Sequence, residues 1–235
     1  MAETDLVTVE ALAVRRGRFN LEVPRWTIAP GQVVGVVGPN GAGKTTLLES
    51  LAGLRPVGSG AVRVFGLDPW DRPVEVRSAL GFMSDDLPVF PMHIGRLLRF
   101  VSGYYPTWDP MLAMELLVRF HLDPRDKTHQ LSRGQGTRLR LVLAMAFRPR
   151  VLVLDEPAGG LDLAGRRALL DIVLEIVGDP ERSVIISSHQ LSDVERIADR
   201  LLVLRRGSVI REGPTAELIG EGRTIEEALL DWEAA

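Results

Sequence analysis

Gly38-Pro39-Asn40-Gly41-Ala42-Gly43-Lys44-Thr45-Thr46 decides how the rest of the chain is read. The stretch satisfies G-x-x-x-x-G-K-[ST] at every fixed position. Val33-Val34-Gly35-Val36-Val37 before it predicts a short buried strand, and Thr46–Leu51 after it predicts a helix. A glycine-rich loop between strand and helix can curl until successive backbone N–H groups point inward, and the positive end of the helix adds to their field. Gly38 through Thr46 are therefore candidate ligands of a phosphate chain. Lys44 is placed to reach the β- and γ-phosphates, and Thr45 offers a hydroxyl to Mg²⁺. A glycine-rich turn with a chance lysine would not explain why strand, loop and helix all agree. A nucleoside triphosphate is expected here, but the loop alone does not say for what purpose.

Composition sets the frame. The chain has 235 residues, enough for one large domain or two small ones, and its 46% apolar content is that of a globular core. A formal charge of −3 gives no sign of a nucleic-acid-binding surface. The absence of cysteine excludes disulfides and thiolate metal sites. Met1-Ala2-Glu3-Thr4-Asp5 lacks the basic-then-apolar pattern of a signal peptide. No apolar run approaches the roughly 20 residues that span a bilayer. The expectation is a soluble, cytoplasmic protein that would serve a membrane only through a partner.

Outward from the loop, residues 5–14 and 19–29 predict two strands joined by Arg15-Arg16-Gly17-Arg18. The helix after the loop is expected to run to about Leu54. Gly60–Gly66 reads as a strand, Asp71–Leu80 as a helix, and Gly81-Phe82-Met83-Ser84 as a buried strand end. The texture then changes. From about Leu87 to Phe147 strand character is scarce and apolar residues recur at helical spacing (Ile94, Leu97, Leu98 and Val101, then Leu112, Leu116, Leu117 and Phe120), which predicts helices inserted into an α/β core. Strand and helix alternate again from Val151 onward: a strand at 151–154, a helix at about 163–178, a strand at 183–187, a helix at 191–198, two strands at about 200–212 and two closing helices near 215–220 and 224–233.

Val151-Leu152-Val153-Leu154-Asp155-Glu156 is an apolar strand ending in two carboxylates. Adjacent side chains at a strand end point different ways. Asp155 is read as the metal-side residue and Glu156 as the general base that polarises a water in line with the γ-phosphate. The alternative is that two acids simply end a buried strand. Leu131-Ser132-Arg133-Gly134-Gln135 precedes an apolar helix, so Ser132 and the following N–H groups form a helix N-terminus able to hold an anion. Alone, it is only an N-cap.

Gly38–Thr46, Leu131–Gln135, Val151–Pro157, Gly160-Leu161-Asp162 and Ser187-Ser188-His189 stand in the order and spacing of the ATP-binding-cassette ATPases, which the chain resembles over roughly residues 5–215. The resemblance implies an α/β fold: a P-loop NTPase core with a mixed sheet, an antiparallel β subdomain at the N-terminus and an inserted α-helical subdomain. Residues 1–235 then form one cassette domain, with core and β subdomain at about 1–86 and 148–235 and the helical subdomain at about 87–147. ATP and Mg²⁺ are implied as cofactors. Lys44 and Thr45 would bind phosphate and Mg²⁺, Asp155 would support the metal, Glu156 would activate water and His189 would contact the γ-phosphate. Ser132, Gly134 and Gln135 would meet the ATP of a second cassette, with Asp162 communicating across the interface. The implied partners are that second ATPase subunit, identical or not, and integral-membrane permease subunits, with no direct nucleic acid. The chain would lie on the inner face of the cell membrane.

Three departures stand out. Arg133 occupies a position where the family usually has glycine. Asp85, after the strand at 81–84, stands where a metal-ligating glutamine is usual and would ligate Mg²⁺ as a carboxylate; the alternative is that Asp85 or Asp86 is a solvated turn residue. An adenine-stacking aromatic is usual near residue 15, where Arg15 and Arg16 stand with Phe19 nearby; Arg16 or Phe19 would stack on the base, or the stretch is only a basic hairpin turn. Tyr104-Tyr105-Pro106-Thr107-Trp108-Asp109 reads as a packed corner of the helical subdomain, or else as part of a docking surface. Together with Asp85 it resembles cassettes of bacterial exporters whose permease is a separate polypeptide. The rival is a cassette acting on nucleic acid or ribosomes. The short span between loop and signature, without sustained heptads, and the single cassette count against it.

Overall fold

The computed structural model describes residues 5–188, 191–220 and 223–234. In chain order the strands are β1 (Val7–Arg16), β2 (Phe19–Ile28), β3 (Val33–Val37), β4 (Ser59–Val64), β5 (Leu80–Ser84), β6 (Val151–Asp155), β7 (Ser183–Ser188), β8 (Arg200–Arg205) and β9 (Ser208–Pro214). The helices are α1 (Lys44–Leu51), α2 (Pro73–Arg77), α3 (Ile94–Ser102), α4 (Pro110–Arg119), α5 (Arg133–Met145), α6 (Leu163–Val177), α7 (Leu191–Glu195), α8 (Thr215–Ile219) and α9 (Ile225–Ala234), with a short 3₁₀ turn at Thr128–Gln130.

All nine strands join one mixed sheet in the order β4-β1-β2-β9-β8-β3-β7-β6-β5. From β8 to β5 the neighbours run parallel, while β1 pairs antiparallel with both β2 and β4, and β9 with β8. The parallel strands are buried on both faces, which is why they read as unbroken apolar runs. Their side chains alternate between two cores. Val33 and Val37 of β3, Leu152 and Leu154 of β6, and Leu201 and Val203 of β8 face a core shared with α3, α4, α5 and α6. Val34, Val36, Val151, Val153, Leu202 and Leu204 face the other, shared with α1, β1, β2 and β4. No strand of the sheet comes from residues 85–150, and the helices there contribute Ile94, Leu97, Leu116, Phe120 and Leu139 to the first core.

The register decides where the site falls. Val37 pairs with Ser188, Ser187 with Asp155, and Asp155 with Ser84. The loop that opens at Gly38, the acids at 155 and 156, and Asp85 therefore leave the sheet in one row at its carboxyl edge, where open parallel sheets bind ligands.

Three expected helices are shorter in the structure. The one after the loop ends at Leu51, not Leu54, because Gly53 turns left-handed (φ 61°) and Leu54 N–H reaches back to the Glu49 carbonyl at 2.9 Å. The one expected over 71–80 covers only Pro73–Arg77, since Leu80 is taken into β5 opposite Val151. The one expected over 191–198 is helical over Leu191–Glu195. The 104–109 stretch is a packed corner through Tyr105, Trp108 and Asp109, with Tyr104, Pro106 and Thr107 exposed. Tyr105 stacks on Phe147 with centroids 4.0 Å apart, Thr107 donates to the Phe147 carbonyl, and Asp109 caps α4 through Met111 and Leu112 N–H, whereas Tyr104 is exposed.

Candidate active site

The loop between β3 and α1 is shaped by its glycines. At Gly43 the backbone takes φ 113°, which an L side chain rarely adopts, and an added Cβ would lie 3.0 Å from the Phe19 ring. Lys44 begins α1 and is buried to 6% exposure. Its ammonium donates to the Gly38 carbonyl at 2.8 Å and lies 3.3 Å from Glu156 Oε1. The loop's lysine and the expected base thus meet across the sheet edge, as the register demands.

Asp155, at the end of β6, is 4% exposed. Its Oδ1 accepts from Ser187 Oγ at 2.7 Å, and the Thr45 hydroxyl also bonds to it. Burial pushes its carboxyl above the ordinary aspartate range, against the lowering effect of those two hydroxyls; neighbouring Glu156 raises it further and Lys44 lowers it. A carboxylate whose charge is disfavoured by burial, beside the hydroxyl of Thr45, is a hard-oxygen pair that suits Mg²⁺. Glu156 follows with φ 51°, a left-handed conformation that non-glycine residues rarely hold, and its N–H is tied to the same Ser187 Oγ at 2.9 Å. Ser187 is the residue that sequence reasoning missed as a participant. One hydroxyl orients both acids; in the sequence Ser187 carries no role of its own beyond its place in the Ser187-Ser188-His189 stretch.

A cavity of about 760 Å³ opens over these groups. Of the expected residues, Arg16, Phe19, Asn40 through Thr46, Asp85 and Glu156 line it, joined by Arg133, Asp86 and Gly159. Ser132, Gly134 and Gln135 do not. Ser132 caps α5 in a reciprocal box with Gln135, whose Oε1 accepts from Ser132 N–H at 2.9 Å, and it lines an adjoining cavity of about 400 Å³ that shares Asp85, Asp86 and Arg133 with the first. Gly134 lies against the Gly160 carbonyl. Asp162 caps α6 by accepting from Gly165 N–H at 2.8 Å and binds Arg138 at 2.6 Å, and these two donors hold its carboxyl below the usual range. Asp85 is no solvated turn residue: its Oδ1 accepts from Thr137 Oγ1 at 2.8 Å and its Oδ2 lies 3.1 Å from the Arg133 guanidinium. His189 lies outside the described residues.

A family model described as ABC transporter matches residues 21–159, more than half of the chain. The chain belongs to the ABC transporter family. A putative ABC transporter ATP-binding protein of Streptomyces avermitilis is 34% identical over 93% of this chain and 40% of its own length. The molybdenum import ATP-binding protein ModC of Albidiferax ferrireducens is 35% identical over 88% of this chain and 58% of its own. This chain therefore spans about half the length of those two relatives. Among solved structures, cbiO1 of Clostridium perfringens, part of the ABC transporter complex cbiONQ, superposes with a TM-score of 0.76 at 25% identity, over 97% of this chain and 96% of that one. The nine-stranded sheet with its antiparallel N-terminal strands is the fold of an ABC cassette.

Proposed function

We propose that this chain is the ATP-hydrolysing subunit of an ABC transporter, working as half of an ATP-bound dimer against a separate membrane permease. The observation that carries the reading is the convergence at one sheet edge of Lys44, Asp155 and Glu156, with Lys44 and Glu156 3.3 Å apart. In this reading the loop N–H groups and Lys44 hold the triphosphate, and Arg16 or Phe19 packs on the base. Glu156 accepts a proton from the attacking water, with His189 on the γ-phosphate. Thr45, Asp155 and Asp85 would hold Mg²⁺, which supplies charge neutralisation at the phosphates when bound. Ser132, Gly134 and Gln135 serve the nucleotide of the second cassette, and Asp162 links the two. The domain division follows the same reading, with residues 87–147 as a helical subdomain on the core.

No helix among the described residues is long and apolar enough to cross a membrane. In this reading the permease is a separate partner, and the chain acts at the inner membrane face through it. The finer reading, an exporter's cassette, rests on Asp85 and the 104–109 stretch. Relatives of comparable similarity include one named for import. Direction is tested by the sense of ATP-driven movement in vesicles carrying chain and permease together.

Glu156→Gln is expected to bind MgATP while hydrolysis falls roughly 10²- to 10⁴-fold, the usual worth of a positioned base. Lys44→Ala is expected instead to weaken nucleotide binding itself, by about 10- to 100-fold, the scale of a charge-assisted phosphate contact. Hydrolysis near the parental rate in Glu156→Gln removes Glu156 as the base, and unchanged affinity in Lys44→Ala removes Lys44 from the site.

A further inference from the structure

Two of the three positions at which this chain departs from the usual cassette motifs, Asp85 and Arg133, touch each other. Arg133 opens α5 from the far side of the loop that follows β6, and its side chain crosses that loop to arrive at Asp85. Oδ2 of Asp85 takes Nε of Arg133 at 3.3 Å and its terminal nitrogen at 3.1 Å. Oδ1 takes the hydroxyl of Thr137, one helical turn further along α5 and fully buried, at 2.8 Å. The crossing depends on a missing side chain: a Cβ on Gly160 would come within 3.3 Å of Arg133 Cγ and 3.5 Å of Cδ. Both carboxylate oxygens are thus held by α5, and the pair lines the cavity that also holds Lys44, Thr45 and Glu156.

We infer that Arg133 is a positioning residue for Asp85. It holds the carboxylate at the edge of the nucleotide cavity and offsets its charge, so that an acid is tolerated beside a triphosphate. The inference rests on the proposed placement of Asp85 at the nucleotide's metal. Its sign follows from charge alone. With Arg133 in place the pair is neutral toward the phosphates. Without it, Asp85 repels them, most strongly when no divalent cation stands between. A guanidinium that is 76% exposed and no longer has its carboxylate can turn away into solvent, so removing it once Asp85 is neutral costs less than removing it from the pair.

The test is a double-mutant cycle read by ATP titration with Mg²⁺ and with a chelator. Arg133→Met keeps the aliphatic arm over Gly160 and deletes the charge. It is expected to weaken metal-free ATP binding about fivefold, the scale of one unpaired charge at a protein surface, and to weaken MgATP binding less. Arg133→Lys is expected to restore most of the loss. In an Asp85→Asn background, Arg133→Met is expected to cost clearly less than in the parent. An equal loss in both backgrounds overturns the inference and makes Arg133 a direct phosphate contact. If Arg133→Met leaves metal-free binding unchanged while Asp85→Asn strengthens it, Arg133 does not offset Asp85, although Asp85 keeps its place. If Asp85→Asn and Arg133→Met both match the parent with and without Mg²⁺, Asp85 is not beside the nucleotide, and the inference and the placement it rests on fall together.

Discussion

Ser187 shows how much of the site hangs on one hydroxyl. Its Oγ donates to Asp155 and accepts from Glu156 N–H, and it is fully buried, so no solvent replaces either contact. Ser187→Ala leaves a buried carboxylate and a buried N–H each short of a partner, at about 1–3 kcal/mol. A lower urea midpoint at unchanged slope is expected, with slower hydrolysis and nearly unchanged ATP affinity. An unaltered midpoint and rate would show that Glu156 holds its left-handed backbone without this tether. The acids themselves were legible in the sequence, because an apolar run that ends in Asp-Glu after a phosphate-loop signal has few readings. The roles of Ser187 and Thr137 were not, because a serine or threonine looks the same in a sequence whether it orients a carboxylate or bonds its own backbone. Asp85 could be placed from its position after β5, while its partners on α5, 48 and 52 positions away, appear only in three dimensions.

At the scale of elements, the N-terminal end of α5 is held from several sides. Ser132 and Gln135 close its N-terminus, Gly134 lies on the Gly159–Gly160 turn, and Arg133 and Thr137 reach across to Asp85. A Cβ at residue 134 would come within 2.5 Å of the Gly160 carbonyl oxygen, which is backbone and cannot rotate away. Gly134→Ala is therefore expected to cost about 1–3 kcal/mol, the range of overpacking a tight contact, visible as a lower melting temperature. Melting at the parental temperature would mean that α5 shifts freely over the turn. The capping signals of this helix were readable, as were the strands β3, β6 and β7 from their apolar runs. Helix ends were less so. Leu80 has an acceptable helical neighbourhood but pairs with Val151 in the sheet, and that pairing outweighs local preference.

The whole molecule is a mixed sheet whose carboxyl edge gathers a phosphate loop, two acids and a third acid on a neighbouring strand. Within one chain Ser132, Gly134 and Gln135 do not line that cavity, although Arg133 beside them does. A helix N-terminus whose cap, Ser132, does not line the triphosphate cavity of its own chain can serve that of a second chain across a two-fold axis, where each ATP would join two chains. ATP then favours the dimer by mass action. The most direct measurement is the solution mass of Glu156→Gln with and without saturating MgATP, with bound nucleotide counted. Two chains holding two ATP molecules, reverting to one chain when ATP is withdrawn, is the predicted result. A single chain that binds ATP fully and stays single at every protein concentration would contradict it.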